Sequence, residues 1–201
     1  MQIFVTSDLH LGHYNIIKYC NRPFKGLNDM NDKLIYNWNQ CVKPDDVVYH
    51  LGDFCFYGGQ EGGLTKSQVW ESQLNGKIIH IRGNHDKNNG VKAYSIAMVI
   101  QHAHHNIGAR HCPIIDRPEN EFFDYSKLHF LMCGHVHEKW KFKYLEHISK
   151  WVINVGTDVW NFRPILLNQV VVEFQRLQKL QSKEIINGEQ ESRCEHQIPQ
   201  I

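Results

Sequence analysis

Short runs of Val, Ile, Phe and Leu recur along this chain, with helix-like or polar segments between them, and each run stops at a polar cluster. That punctuation is the strongest constraint on the fold. Brief apolar runs alternating with longer helical stretches are how an α/β protein builds a sheet covered by helices. The candidate strands are Gln2–Thr6, Val47–His50, Lys77–Arg82, Asn106–Arg110, Leu128–Met132 and Trp151–Val155. Asn28–Val42 carries Met30, Leu34 and Trp38 at i, i+4 and i+8, with Ile35 beside them, and Lys43-Pro44-Asp45-Asp46 stops it; this predicts a helix. Further helices are expected over Thr65–Leu74, Val91–Ile100 and Asn168–Gln181, the last carrying Val171, Phe174 and Leu177.

A length of 201 residues is read as one domain, over 1–180, followed by a polar tail over 181–201 expected to be poorly ordered. Lys and Arg number 22 against 21 Asp and Glu, so no overall field pulls the protein toward duplex DNA or an anionic membrane. No apolar run approaches membrane-spanning length, and Met1–Asp8 has no basic leader, so the expected compartment is cytoplasmic. The six cysteines form no C-x-x-C pair and are read as reduced thiols. The chain holds 14 histidines, and their positions decide the reading.

The first strand is followed by Asp8-Leu9-His10, the second by Leu51-Gly52-Asp53 and the third by Gly83-Asn84-His85-Asp86. The run ending at Arg110 is followed by His111, and the run ending at Met132 by Gly134-His135-Val136-His137. Metal-type ligands thus fall just past the carboxyl ends of five strands, where open α/β sheets place their sites. A random scatter of histidines would not respect strand ends. Gly-Asn-His-Asp is itself a specific string, expected by chance in about one chain per thousand of this length.

Asp-x-His, Gly-Asp, Gly-Asn-His-Asp, a lone His and Gly-His-x-His, in that order over residues 8–137, resemble the motifs of the calcineurin-like metallophosphoesterases, especially their small phage and bacterial members. Asn154–Trp160, followed by Arg163-Pro164, is similar to the stretch that closes those members. The resemblance implies an α/β fold of two sheets packed as a sandwich flanked by helices, in α/β/β/α layers. It also implies that Asp8, His10, Asp53 and His137 hold one divalent ion, while Asp53, Asn84, His111 and His135 hold another, with Asp53 bridging. Imidazole, carboxylate and amide without thiolate suit Mn²⁺, which we favour, or Fe, Zn²⁺, Co²⁺ or Ni²⁺. His111-Cys112-Pro113 fits the family's His-x-Pro pattern, although Arg110 departs from the apolar or small residue usual before it.

Two such ions lower the pKa of a bound water and neutralise charge developing at phosphorus, so hydroxide is the nucleophile and no phosphoenzyme is required. His85 is similar to the family's proton donor to the leaving alkoxide, and Asp86 is expected to hold its imidazole. Arg82, His13 and Asn15 are candidate substrate contacts. The expected substrate is a small or nucleotide-like phosphodiester. A nuclease acting on ends or single strands is the alternative, for which Lys139, Lys141, Lys143 and Arg163 would supply a basic stripe; a non-catalytic metal-binding scaffold is the alternative of another class.

Other histidines are read as structural: His50 and His80 inside strand runs, His129 and His147 in packing or at the surface, and His196 in the tail. His102, His104 and His105 form a cluster that could imitate a site. The five tryptophans are read as core or pocket wall. Gly58–Gly63, with four glycines in six residues, is a candidate substrate lid.

Overall fold

The computed structural model describes residues 1–56, 66–113 and 123–195, with the side chains of 66 and 184–195 excepted. Along the chain run β1 (Ile3–Thr6), α1 (Tyr14–Tyr19), α2 (Leu27–Cys41), β2 (Val47–His50), α3 (Lys66–Glu71), β3 (Lys77–His80), β4 (Ala97–His102) and β5 (His105–Arg110). They are followed by β6 (Phe130–Cys133), β7 (Phe142–Leu145), β8 (Lys150–Asn154), β9 (Ile165–Leu166) and α4 (Leu167–Glu195).

Neighbouring strand residues point to opposite faces, and this sorts the apolar side chains into layers. Phe4 and Val48 pack outward with Met30, Leu34 and Trp38, so the predicted stripe of α2 covers the outer face of the first sheet. Trp38 is fully buried, and its indole N–H donates to the Asn75 carbonyl at 2.9 Å. Val5, by contrast, packs inward with Ile107, Phe130, Met132 and Ile153, the core between the two sheets. Leu167, Val170, Val171 and Phe174 of α4 complete that core, with Phe174 stacked on Phe130. Leu131, Cys133 and Val152 face the far side of the second sheet, beneath Phe123, Leu128 and Leu145.

The first sheet has the order β3-β2-β1-β9 and the second β4-β5-β6-β8-β7. β1, β2 and β3 are mutually parallel, as are β5, β6 and β8. Two parallel blocks therefore present their carboxyl ends together. A bridge between Ser7 and Gly156, and the Thr157 N–H on the Ser7 carbonyl at 2.9 Å, tie the end of β1 to the loop after β8. The expected two-sheet α/β sandwich flanked by helices is the fold found.

Two readings need correction. Val91–Ile100 is not a helix: Ala97–His102 forms β4, paired antiparallel with β5 from Ala97↔Arg110 to His102↔His105. Strands β7 and β9 lie where no strand was expected. The expected helix over Asn168–Gln181 is part of α4, Leu167–Glu195. The glycine-rich 58–63 and residues 196–201 lie outside the described residues. Among the described residues, no helix is long and apolar enough to cross a membrane.

Candidate metal centre

The backbone after each strand turns abruptly, and the residues that make these turns are the sequence-predicted ligands. Asp8, His10, Asp53, His135 and His137 all adopt left-handed φ angles, between 49° and 69°. Such a conformation costs a non-glycine residue about 1–3 kcal/mol and persists only where the surroundings over-determine it. Here the surroundings are the neighbouring loops. The Asp8 N–H donates to the Gly52 carbonyl and the His10 N–H to the Asp53 carbonyl, each at 3.0 Å. Gly83 and Gly134 allow the closest approaches. A methyl group at Gly83 would collide with Asp53, and one at Gly134 with Ser7 and the Asp8 carboxylate.

These turns bring all seven predicted ligands together. His111 Nε2 lies 3.3 Å from Asp53 Oδ2, and His10 Nε2 approaches the same oxygen at 3.6 Å. His135 Nδ1 is 3.3 Å from both His111 Nε2 and Asn84 Nδ2. His137 Nε2 is 3.9 Å from Asp8 Oδ1, and its ring stacks on His10 with centroids 5.1 Å apart. Ligand atoms of Asp8, His10 and His137 lie within 4.8 Å of one another, as do those of Asp8, Asp53 and His111. The two triads place carboxylates at the middle and imidazoles at both ends.

The donor set fits divalent ions. His10 is fully buried, yet its Nε2 has no hydrogen-bond partner. A buried polar atom left unmatched and aimed at a carboxylate is costly unless something binds between them. His111 Nδ1 sits 2.8 Å from the Leu51 carbonyl, which fixes that nitrogen as the N–H and turns the Nε2 lone pair to the cluster.

The electrostatics match. Burial pushes the Asp8 carboxyl up, partly offset by the charges of His111 and His137. Burial also pushes Asp53 up, but the hydrogen bond and charge of His111, with His10 and the His85 N–H, outweigh it and hold Asp53 well below the usual carboxylate range. Burial lowers His111, but its bonds to Asp53 and the charge of Asp8 raise it to about 9. His137 is likewise lowered by burial and raised to about 10, chiefly by Asp158. His10 is pushed well below the usual imidazole range by burial. Without a metal, protons on His111 and His137 take the places that cations would fill.

The remaining predicted residues divide. His85 stands half-exposed at the cluster's edge, its N–H donating to Asp53 Oδ1 at 2.9 Å and its Nε2 3.9 Å from Asp53 Oδ2. Asp86 does not hold that imidazole. Its carboxylate accepts the N–H groups of Asp53, Phe54 and Gly83 at 3.0, 2.9 and 2.6 Å, and so clamps the loops after β2 and β3. His13 stacks on Phe56 with centroids 4.2 Å apart, and its Nδ1 is 3.4 Å from His10 Nδ1. Arg82 is exposed and lines a cavity with Asn84 and His111. Asn15 stays exposed on α1, outside the cluster.

His102 and His105 end the two strands of the β4–β5 hairpin, and His104 lies in its turn, at the opposite end of β5 from His111. His50 and His80 are buried, His80 bonded to Glu71 at 3.2 Å. The basic residues of the stripe divide: Lys139 is near enough to His135 for its charge to add to the burial that lowers that imidazole, whereas Lys141 sits 3.5 Å over the Trp160 ring and, with Arg163, lines a cavity at the Gln2 end of β1.

Sequence reading missed two supports. Arg22, fully buried, donates from Nε and Nη2 to the Asp158 carboxylate at 2.8 and 2.9 Å, and to the carbonyls of Asp8 and Leu9 at 2.6 and 2.9 Å. Asp158 Oδ2 in turn faces His137 Nδ1 at 3.1 Å, which leaves Nε2 for the cluster. Asp158 lies within the closing stretch noted in the sequence. Arg22, alone between Asn21 and Pro23, belongs to no spacing pattern.

The sequence model of the calcineurin-like phosphoesterase superfamily domain matches residues 1–171. An uncharacterized protein of Methanocaldococcus jannaschii is 37% identical over 171 residues, covering 85% of this chain and 89% of that protein. The Gene 66 protein of Mycobacterium phage L5 is 27% identical over 188 residues, covering 77% and 86%. Among solved structures, a protein of unknown function from Aquifex aeolicus superposes with a TM-score of 0.66 at 22% identity, over 84% of this chain and 97% of that one.

Proposed function

Because the chain belongs to the calcineurin-like phosphoesterase superfamily, we propose that it hydrolyses a phosphate ester at a centre of two divalent ions, with a small or nucleotide-like phosphodiester as its preferred substrate. The observation that carries this reading is the convergence of Asp8, His10, Asn84, His111, His135 and His137 around Asp53. Asp8, His10, Asp53 and His137 would hold one ion, and Asp53, Asn84, His111 and His135 the other. Ions bound there, with Mn²⁺ favoured, supply an activated water and charge neutralisation at phosphorus.

The chain's own residues supply the rest. Asp53 keeps a full negative charge between the two groups of ligands, because its burial is outweighed by His111 and His10. The Arg22–Asp158 pair holds the His137 ring, and Asp86 holds the loop that carries Asp53, so neither end of the site needs to reorganise when substrate binds. His85, beside Asp53 and open to solvent, would give a proton to the leaving oxygen as the ester P–O bond breaks.

The test is release of nitrophenol from bis-p-nitrophenyl phosphate and p-nitrophenyl phosphate by metal-reconstituted protein, with His85→Ala beside it. We expect metal-dependent hydrolysis that favours the diester and a kcat about 10²–10⁴-fold lower in the variant. No hydrolysis of either ester with two ions bound would contradict the reading and favour a metal-binding scaffold.

A further inference from the structure

At the end of β1 away from the metal centre, a cavity of about 500 Å³ opens between β9, the first turns of α4 and the residues before β7. None of the seven predicted ligands lines it, but Lys141 and Arg163, two of the basic residues read as a stripe in the sequence, do. Their positions follow from the backbone. Asn154, fully buried at the end of β8, donates its N–H to the Lys141 carbonyl at 2.9 Å, and its own carbonyl accepts the Trp160 indole N–H at 2.7 Å. One residue thus holds both the chain that carries Lys141 and the Trp160 ring, and the Lys141 ammonium rests 3.5 Å over that ring. Asn161 and Phe162, both at a left-handed φ of 55°, then turn the chain so that Arg163 joins the wall. Among the described residues, neither the Lys141 nor the Arg163 side chain makes a hydrogen bond or an ion pair. The carboxylate on the same cavity, Glu173, is held by Arg176 at 2.8 Å. Burial pushes the half-buried Lys141 ammonium down, and the charge of Glu173 only partly offsets it.

The size lies within the range that takes a whole small molecule, about 300–1,000 Å³. The walls specify its chemistry. Phe4, Ile165 and Leu166 supply apolar surface, and two cations without a carboxylate in contact are stabilised by an anion that reaches both. An ammonium and a guanidinium bind a carboxylate or a phosphate head alike, so the shared property is the negative head and not its central atom. We infer that this cavity is a second binding site, separate from the metal centre, for a small organic anion whose head is held by Lys141 and Arg163 and whose apolar body lies on Phe4, Ile165 and Leu166. The site uses no metal ligand, so it stands whether or not the phosphoesterase reading does.

The test uses metal-free protein, so that no probe can bind through an ion, and compares 2-naphthoate, 2-naphthyl phosphate and neutral 2-naphthol by titration calorimetry. At least one of the two anions should bind about tenfold or more tightly than naphthol, and that preference should fall toward one in Lys141→Met and in Arg163→Met. Tighter naphthoate assigns a carboxylate head and tighter naphthyl phosphate a phosphate head, either in support. Lys141→Arg, which keeps the charge, should retain most of the preference. Arg163 is exposed, so Arg163→Met carries the test where Lys141→Met does not fold. Nuclear magnetic resonance places the probe: the Trp160 indole N–H signal, assigned by its loss in Trp160→Phe, should move as the preferred anion is added. Equal affinity for all three probes would overturn the inference, as would anion binding that both Met variants leave unchanged or that leaves the Trp160 signal in place.

Discussion

Arg22→Met removes a guanidinium that makes four charge-assisted or carbonyl hydrogen bonds in a fully buried setting. The Asp158 carboxylate, with 1% of its side chain exposed, loses its guanidinium partner and keeps only His137 among the described residues, and the carbonyls of Asp8 and Leu9 lose a donor. Breaking one partner of a buried ion pair costs about 3–5 kcal/mol. For a chain of this length each kcal/mol lowers Tm by about 2–4 °C, so thermal unfolding should shift down by roughly 6–20 °C. A second effect is specific to the site. With Asp158 no longer fixed, the His137 ring loses its orientation, and Mn²⁺ affinity should fall about 10–100-fold in equilibrium dialysis. Because the buried Asp158 charge is costly without its guanidinium, the double variant Arg22→Met/Asp158→Asn should recover part of the Tm loss but none of the affinity loss. A Tm drop below about 3 °C with unchanged affinity would refute the reasoning and show that the pair supports neither the fold nor His137.

Gly134→Ala should cost about 1–3 kcal/mol and abolish tight metal binding, since the added methyl meets Ser7 and the Asp8 carboxylate. Gly26→Ala, with open space around the added methyl, is the control and should cost under about 1 kcal/mol by urea titration. In metal-free protein, His111 and His137 are raised to about 9 and 10, above the unfolded value of 6.5, so their stabilisation is complete below that value and is lost as pH rises through 9 and 10. Tm of the metal-free protein should therefore fall between pH 6.5 and 10, and a flat or rising profile over that window would contradict the assignment. Loading with metal should remove the fall, because ions and protons compete for the same nitrogens.

The site was more legible in the sequence than the fold that carries it. Aspartates and histidines after strand ends are conspicuous because few other pressures put them there, and all seven predicted ligands meet in the structure. The β4 strand was misread because Ala97-Met98-Val99-Ile100 satisfies both helical and strand periods, and its hairpin turn uses Ala103 and His104 at left-handed φ rather than Asn-Gly. β7 carries Phe142, Tyr144 and Leu145 among lysines, an edge strand too short to signal itself, and β9 is two residues long. Asp86 was misassigned because adjacency to His85 says nothing about direction: its carboxylate turns to the backbone of three other residues. Arg22 could not be found, since its partners lie 13, 14 and 136 positions away and only the folded chain brings them together.

The proposed centre would bind two ions through a shared Asp53. The most direct measurement is metal stoichiometry by elemental analysis after chelation and dialysis against Mn²⁺, on wild type, His10→Ala, Asn84→Ala and Asp53→Ala. We predict two ions per chain for the wild type, one for each variant that removes ligands from a single half, and none held tightly by Asp53→Ala. A single ion in the wild type, or two ions retained by Asp53→Ala, would contradict it.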